Sequence, residues 1–149
     1  MRQKGFTAIE VLIVIAILGL VAGIAVPRIN HSMALIELDN AARELAADLR
    51  WLQQNSVNAT AGSSSLGISS DPIASLYFYT SSPYGYYITK NAVTIKKKIF
   101  PTTVEVVGFY NKISFGTNGY IVTPVTINLR SGSVYKKVIV DAVGRIRIE

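Results

Sequence analysis

Phe6-Thr7-Ala8-Ile9-Glu10-Val11-Leu12-Ile13-Val14-Ile15-Ala16-Ile17-Leu18-Gly19-Leu20-Val21-Ala22-Gly23-Ile24-Ala25-Val26 decides the fold. Of these 21 residues 17 are hydrophobic and one, Glu10, is charged. As a helix rising about 1.5 Å per residue they reach roughly 31 Å, the thickness of a bilayer core. Ahead of them stands only Met1-Arg2-Gln3-Lys4-Gly5, whose Arg2 and Lys4 form the positive flank that stays in the cytoplasm, so the chain from Arg28 onward is expected on the outer side. Glu10 is the anomaly, because a carboxylate within such a segment costs roughly 2.5 to 3.5 kcal/mol and needs a partner or a purpose.

The rest of the composition follows from that segment. The chain has 149 residues, a mean hydropathy of +0.35, 50% hydrophobic residues and 16% charged ones, against about a quarter charged in soluble domains. With residues 6–26 set aside, the remainder reads as one ordinary domain. The length excludes a polytopic membrane protein. The absence of cysteine excludes disulfides, thiol nucleophiles and Cys-based zinc sites.

Beyond the apolar segment, Pro27 is expected to kink the helix by removing a hydrogen bond and crowding the preceding turn. Residues 27–55 then read as an amphipathic helix, with Leu35, Leu38, Ala42, Leu45, Leu49 and Leu52 recurring at spacings of three and four. Glu44 and Asp48 read as surface charge. Asn55 to Ser65, rich in Asn, Ser, Ala and Gly, is expected to end the helix. From Leu66 the period changes to two. Strands are predicted at 66–69, 76–80, 86–89, 93–100, 104–110, 112–115, 120–129, 134–141 and 145–148, with hairpin turns at Asn118-Gly119 and Ser131-Gly132. Pro124 suggests an edge or a bulge. The predicted class is α+β: a long N-terminal helix packed on an antiparallel β domain, residues 56–149.

No catalytic constellation is legible. His31 is the only histidine and has no Cys or second His with which to hold a metal, and no G-x-S-x-G elbow is present. After residue 55 the acids are Asp71, Glu105, Asp141 and Glu149, with no close pair for acid and base work. Neither enzymatic activity nor a cofactor is expected. The charge is uneven: residues 1–27 carry +1, 28–55 carry −1 and 56–149 carry +6. A basic outer domain favours polyanions such as DNA, teichoic acids or lipopolysaccharide. Its basic groups cluster as Lys96-Lys97-Lys98, as Lys136-Lys137 and in the terminal Gly144-Arg145-Ile146-Arg147. In a strand Arg145 and Arg147 share a face about 7 Å apart, a spacing suited to successive phosphates, with Gly144 supplying the turn that presents them.

The run Gly5-Phe6-Thr7-Ala8-Ile9-Glu10, followed by Val11-Leu12-Ile13-Val14-Ile15, resembles the type IV prepilin family, with Ala8 where Leu is commoner. The resemblance implies that residues 1–5 are a leader removed by a prepilin peptidase between Gly5 and Phe6, and that Phe6 is then N-methylated. It implies that 6–26 is the membrane and assembly helix, and that Glu10 meets the new N-terminal amine of an adjacent subunit in a filament of pilins. Such a charge pair is more tolerable in an apolar bundle than either charge alone. A proline at about the depth of Pro27 is also common in pilins. The same stretch reads as a Sec signal peptide cleaved after Ala25, against which Glu10 and Pro27 both count.

Toward the C-terminus, Ile113 to Gly119, Thr126 to Leu129, Val138 to Val140 and Gly144-Arg145-Ile146-Arg147 resemble the GspH/FimT branch: H-type pseudopilins of type II secretion and FimT minor pilins. The resemblance implies a minor pilin or pseudopilin subunit. In FimT proteins a terminal Gly-Arg-x-Arg element is implicated in DNA capture, which would place DNA contact on Gly144, Arg145 and Arg147, with Lys96, Lys97, Lys98, Lys136 and Lys137 in support. The alternative is a solvated edge strand whose charges resist aggregation.

Overall fold

The computed structural model describes residues 6–61, 74–90, 92–108, 112–121 and 123–149, with the side chains of 24–31 and 59–61 outside that description. It divides into two units, 1–34 and 35–149. One helix assignment, α1, runs Ala8–Ala61.

In the first unit α1 opens on a capping box, a reciprocal pairing that satisfies backbone N–H groups otherwise orphaned at a helix start. The Thr7 backbone N–H donates to Glu10 Oε2 at 3.3 Å, and the Glu10 N–H donates to Thr7 Oγ1 at 3.4 Å. Every residue from Phe6 to Gly23 is exposed. Among the described residues no helix is long and apolar enough to cross a membrane, and the expected anchor 6–26 ends where side chains are not described. Helix assignment continues through Pro27, whose expected kink falls within that same stretch.

In the second unit the helix buries Leu38, Ala41, Ala42, Leu45, Ala46, Leu49 and Leu52 along one stripe. Two antiparallel sheets share that core. The first has the order β1-β2-β3, with β1 Ser75–Phe78, β2 Gly85–Lys90 and β3 Val93–Ile99. The second has the order β4-β5-β6-β7, with β4 Glu105–Val107, β5 Val125–Ser131, β6 Val134–Val140 and β7 Ile146–Ile148. Leu76, Tyr86 and Ile88 from the first sheet and Ile127, Leu129, Val138 and Val140 from the second are all fully buried in one cluster with the helix leucines. Truncating any of these leucines to alanine is expected to cost about 2 to 5 kcal/mol.

Several boundaries differ from the sequence expectation. The helix does not end at Asn55 but continues to Ala61. Polar side chains there bond back to the helix: Asn55 Nδ2 donates to the Trp51 carbonyl at 3.0 Å and Ser56 Oγ to that of Leu52 at 3.1 Å. Of the expected strand 104–110, the structure has Glu105–Val107 in β4, followed by Gly108 at φ 119°, while 109–110 lie outside the described residues. The expected strand 112–115 reduces to a bridge between Ile113 and Leu76, which exchange both backbone bonds at 2.8 Å. The expected strand 120–129 begins only at Val125, after Pro124. The expected strand 66–69 lies outside the described residues. Gly132 turns the β5–β6 hairpin at φ 58°, while at Asn118-Gly119 only the glycine has positive φ and the turn does not join two strands.

Candidate functional site

The lysine clusters are divided by the pleat, since successive strand residues face opposite ways. Lys96 and Lys98 of β3 turn toward the helix: Lys96 Nζ lies 2.7 Å from Asp48 Oδ1 and Lys98 Nζ 2.8 Å from Glu44 Oε2. Lys136 of β6 likewise reaches Asp39 Oδ1 at 3.2 Å. Glu44 and Asp48 are therefore not free surface charge. Asp48 is nearly buried and also accepts the Tyr86 hydroxyl at 2.5 Å. Burial, reinforced by the adjacent carboxylate, pushes the Tyr86 hydroxyl well above the usual tyrosine range. Hydrogen bonds from Arg43 and then Lys136 hold the Asp39 carboxyl below its ordinary value. Three of the five lysines singled out from sequence thus join sheet to helix, and Lys97 and Lys137 alone face outward.

The terminal arginines are exposed but not unpaired. Arg145 Nε lies 3.4 Å from Asp141 Oδ2, and Arg147 Nη2 lies 3.7 Å from Asp141 Oδ1. Arg147 Nε also lies 3.3 Å from Glu149 Oε1. One aspartate therefore sits between the two guanidiniums, and a polyanion has to compete with it. Strand β7 supplies only Arg147, across from Ile139, because Arg145 lies in the turn before it.

Gly144 has a larger role than turning the chain. It is buried, at φ 79°, and a Cβ there would lie 2.1 Å from the Gly119 carbonyl oxygen and 2.4 Å from Gln53 Nε2. Gln53 Nε2 donates to the carbonyls of Gly119 at 2.8 Å and Gly144 at 3.0 Å, and Arg50 Nη2 donates to that of Ile146 at 3.4 Å. The helix thereby clasps two turns that lie 66 and 91 residues downstream of Gln53. No local signal in the sequence pointed to Gln53.

At the other end, Glu10 is held by its own helix start, with the Thr7 hydroxyl adding a third contact at 3.3 Å. Among the described residues no group of His, Cys, Asp and Glu could hold a metal ion.

Residues 1–26 match the family described as the prokaryotic N-terminal methylation motif. The chain is similar to two crystal structures of the type IV minor pilin FimU of Pseudomonas aeruginosa PAO1. One aligns with a TM-score of 0.56 at 20% identity over 75% of this chain and 92% of that one. The other aligns with a TM-score of 0.58 at 19% identity over 76% and 88%. The chain carries an N-terminal methylation motif and has the fold of a minor pilin. The chain is also 46% identical over 46 residues to the fimbrial protein EcpB of Eikenella corrodens. That match takes in 31% of this chain and 29% of the relative, so it spans less than a third of either.

Proposed function

We propose that the chain is a structural subunit, a minor pilin or pseudopilin, assembled in or at the tip of a type IV pilus or a type II secretion pseudopilus. The observation that carries this is the joining of an N-terminal methylation motif over residues 1–26 to a minor-pilin fold in one chain. A prepilin peptidase removes Met1 to Gly5, and Phe6 becomes the methylated first residue. The segment 6–26 anchors the precursor in the cytoplasmic membrane as a single pass, with residues from 28 onward outside. The unbroken exposure of Ile9, Leu12, Ile13, Leu18 and Leu20 fits a helix whose apolar surface is covered by lipid before assembly and by other pilin helices afterwards. Glu10, held by Thr7 at the helix start, exchanges that local bond for the amine of an adjacent subunit. The chain carries out no catalysis. Replacing Gly5 so that cleavage fails is expected to leave the subunit in the membrane and abolish its incorporation; normal incorporation with the leader attached would overturn the proposal.

A further inference from the structure

Strand β3 is an edge of the first sheet, and its far side is open. The Phe100 N–H donates to the Tyr84 carbonyl at 2.9 Å, and bonding pairs alternate along an antiparallel ladder, so Lys98 and Lys96 also turn their main-chain groups to β2. The N–H and C=O groups of Lys97 and Ile99 therefore point away from the sheet, and among the described residues nothing bonds to them. The register shift at Ile88/Thr89 also leaves Ile95 without a partner on β2. Every residue of β3 except Lys98 is exposed. The other edges are covered or short: β1 bonds to Ile113, the Ile146 carbonyl of β7 accepts Arg50, and β4 and β7 have three residues each.

This open edge runs beside α1, and the two form a seam. The Lys96–Asp48 and Lys98–Glu44 ion pairs cross it as rungs, with a depression toward each end. One depression, of about 410 Å³, is walled by Ala47, Trp51 and Ile95; the other, of about 400 Å³, by Asn40, Ala41, Phe100 and Pro101. Asn40, Ala47 and Trp51 are exposed, so the helix has an uncovered side next to the uncovered strand. From Ile95 to Ile99 is about 13 Å at about 3.3 Å per residue, so alternate side chains of one extended segment reach both depressions. The strand is positive: residues 90–101 contain Lys90, Lys96, Lys97 and Lys98 and no acid. The seam's own acids, Glu37, Glu44 and Asp48, already accept Thr103, Lys98 and Lys96. An ammonium has three donors, so Lys96 and Lys98 keep capacity for a further acceptor. Among the described residues Lys90 and Lys97 are in no ion pair, in contrast to Lys96, Lys98 and Lys136.

We infer that this seam docks an extended acidic segment of a second protein, which adds a strand to β3 and lays its inward side chains over Ala47 and Trp51. Main-chain bonds at Lys97 and Ile99 hold the backbone, carboxylates at alternate positions meet Lys96 and Lys98, and apolar side chains enter the depressions. Another copy of β3 does not fit, because antiparallel pairing centred on the triplet sets lysine against lysine. The inference concerns this edge alone and stands whether or not the chain is a filament subunit.

Full-length protein in neutral detergent micelles, titrated by calorimetry and by tryptophan emission with the capped peptide Leu-Thr-Glu-Thr-Glu-Thr-Leu, tests the inference. The peptide reads the same in both directions and so serves either strand orientation. Trp51 is the only tryptophan, so its emission reports the seam directly. Saturable binding is expected, with a blue shift of that emission and slower hydrogen exchange at the Lys97 and Ile99 amides. N-methylation of the central threonine, which removes an N–H facing β3, is expected to weaken binding at least tenfold, as is replacement of both glutamates by lysine. Ala47→Arg, which fills the helix side of the seam, and Lys97→Pro, which removes an edge donor where an edge strand tolerates proline, are each expected to do the same. If Lys97→Pro does not fold, Ala47→Arg on the exposed helix side decides. No binding, equal binding of the lysine or N-methylated peptide, or binding that leaves Trp51 emission unchanged would overturn the inference. So would edge-amide protection that rises with protein concentration in the absence of peptide, which assigns the edge to a second copy.

Discussion

Gly144→Ala is the most informative single substitution, because backbone strain, a steric clash and the loss of a hydrogen bond meet at one Cβ. The backbone is at φ 79°, where an L-residue with a Cβ loses about 1 to 2 kcal/mol. The new methyl would lie 2.1 Å from the Gly119 oxygen, so one of the two turns must move. Moving either breaks at least one of the Gln53 bonds at 2.8 and 3.0 Å, each contributing about 1 kcal/mol. The sum is about 2 to 4 kcal/mol, a large share of the roughly 5 to 15 kcal/mol by which domains are stable. For a domain of this size that is a loss of roughly 10 to 15 °C in melting temperature. Thermal and urea unfolding of the full chain in neutral micelles measures it. Gln53→Ala is expected to cost about 1 to 2 kcal/mol by itself and much less in the Gly144→Ala background, since both act on the same clasp. A Gly144→Ala protein within 0.5 kcal/mol of wild type, or full additivity with Gln53→Ala, would refute the reasoning.

Three other outcomes follow from the polar contacts. The Tyr86 hydroxyl titrates above its unfolded value, so its contribution to stability is complete below about pH 10. Above that, stability should fall by up to about 1.4 kcal/mol per pH unit as the unfolded tyrosine ionises first, and Tyr86→Phe should flatten this alkaline slope in denaturant titrations. Asp39 titrates below its usual value, so its contribution is present above the ordinary carboxylate range and lost as pH falls through the lowered one; Arg43→Gln should shrink that acid-side loss. Thr7→Val removes the helix-start cap and is expected to increase amide exchange in the first turn of α1, while Thr7→Ser restores protection.

What could be read from sequence was what is encoded locally. The N-terminal motif is linear chemistry, with basic residues, Gly5, Phe6 and Glu10 at fixed offsets. The leucine stripe repeats with the helix and buries from Leu38 to Leu52 as the period requires, while its expected first member, Leu35, is exposed. Strand β6 and its glycine turn follow from alternation and one positive φ. Misread features turn on partners distant in sequence. Lys96 and Lys98 looked like a cationic cluster because their acids, Asp48 and Glu44, lie 48 and 54 residues earlier on another element. Alternation alone implies that a Lys-Lys-Lys strand splits between faces. Gln53 and Gly119 reveal nothing locally of their contact with Gly144. The helix runs past Asn55 to Ala61 because residues that usually terminate helices here bond back to helical carbonyls.

The central claim, a subunit matured from a prepilin, is tested most directly by intact mass and N-terminal sequencing of the chain recovered from cells that contain a prepilin peptidase. The expected product lacks Met1 to Gly5 and begins at a Phe6 carrying one added methyl group. A chain beginning at Val26, or one that keeps its first five residues in the presence of the active peptidase, would contradict it.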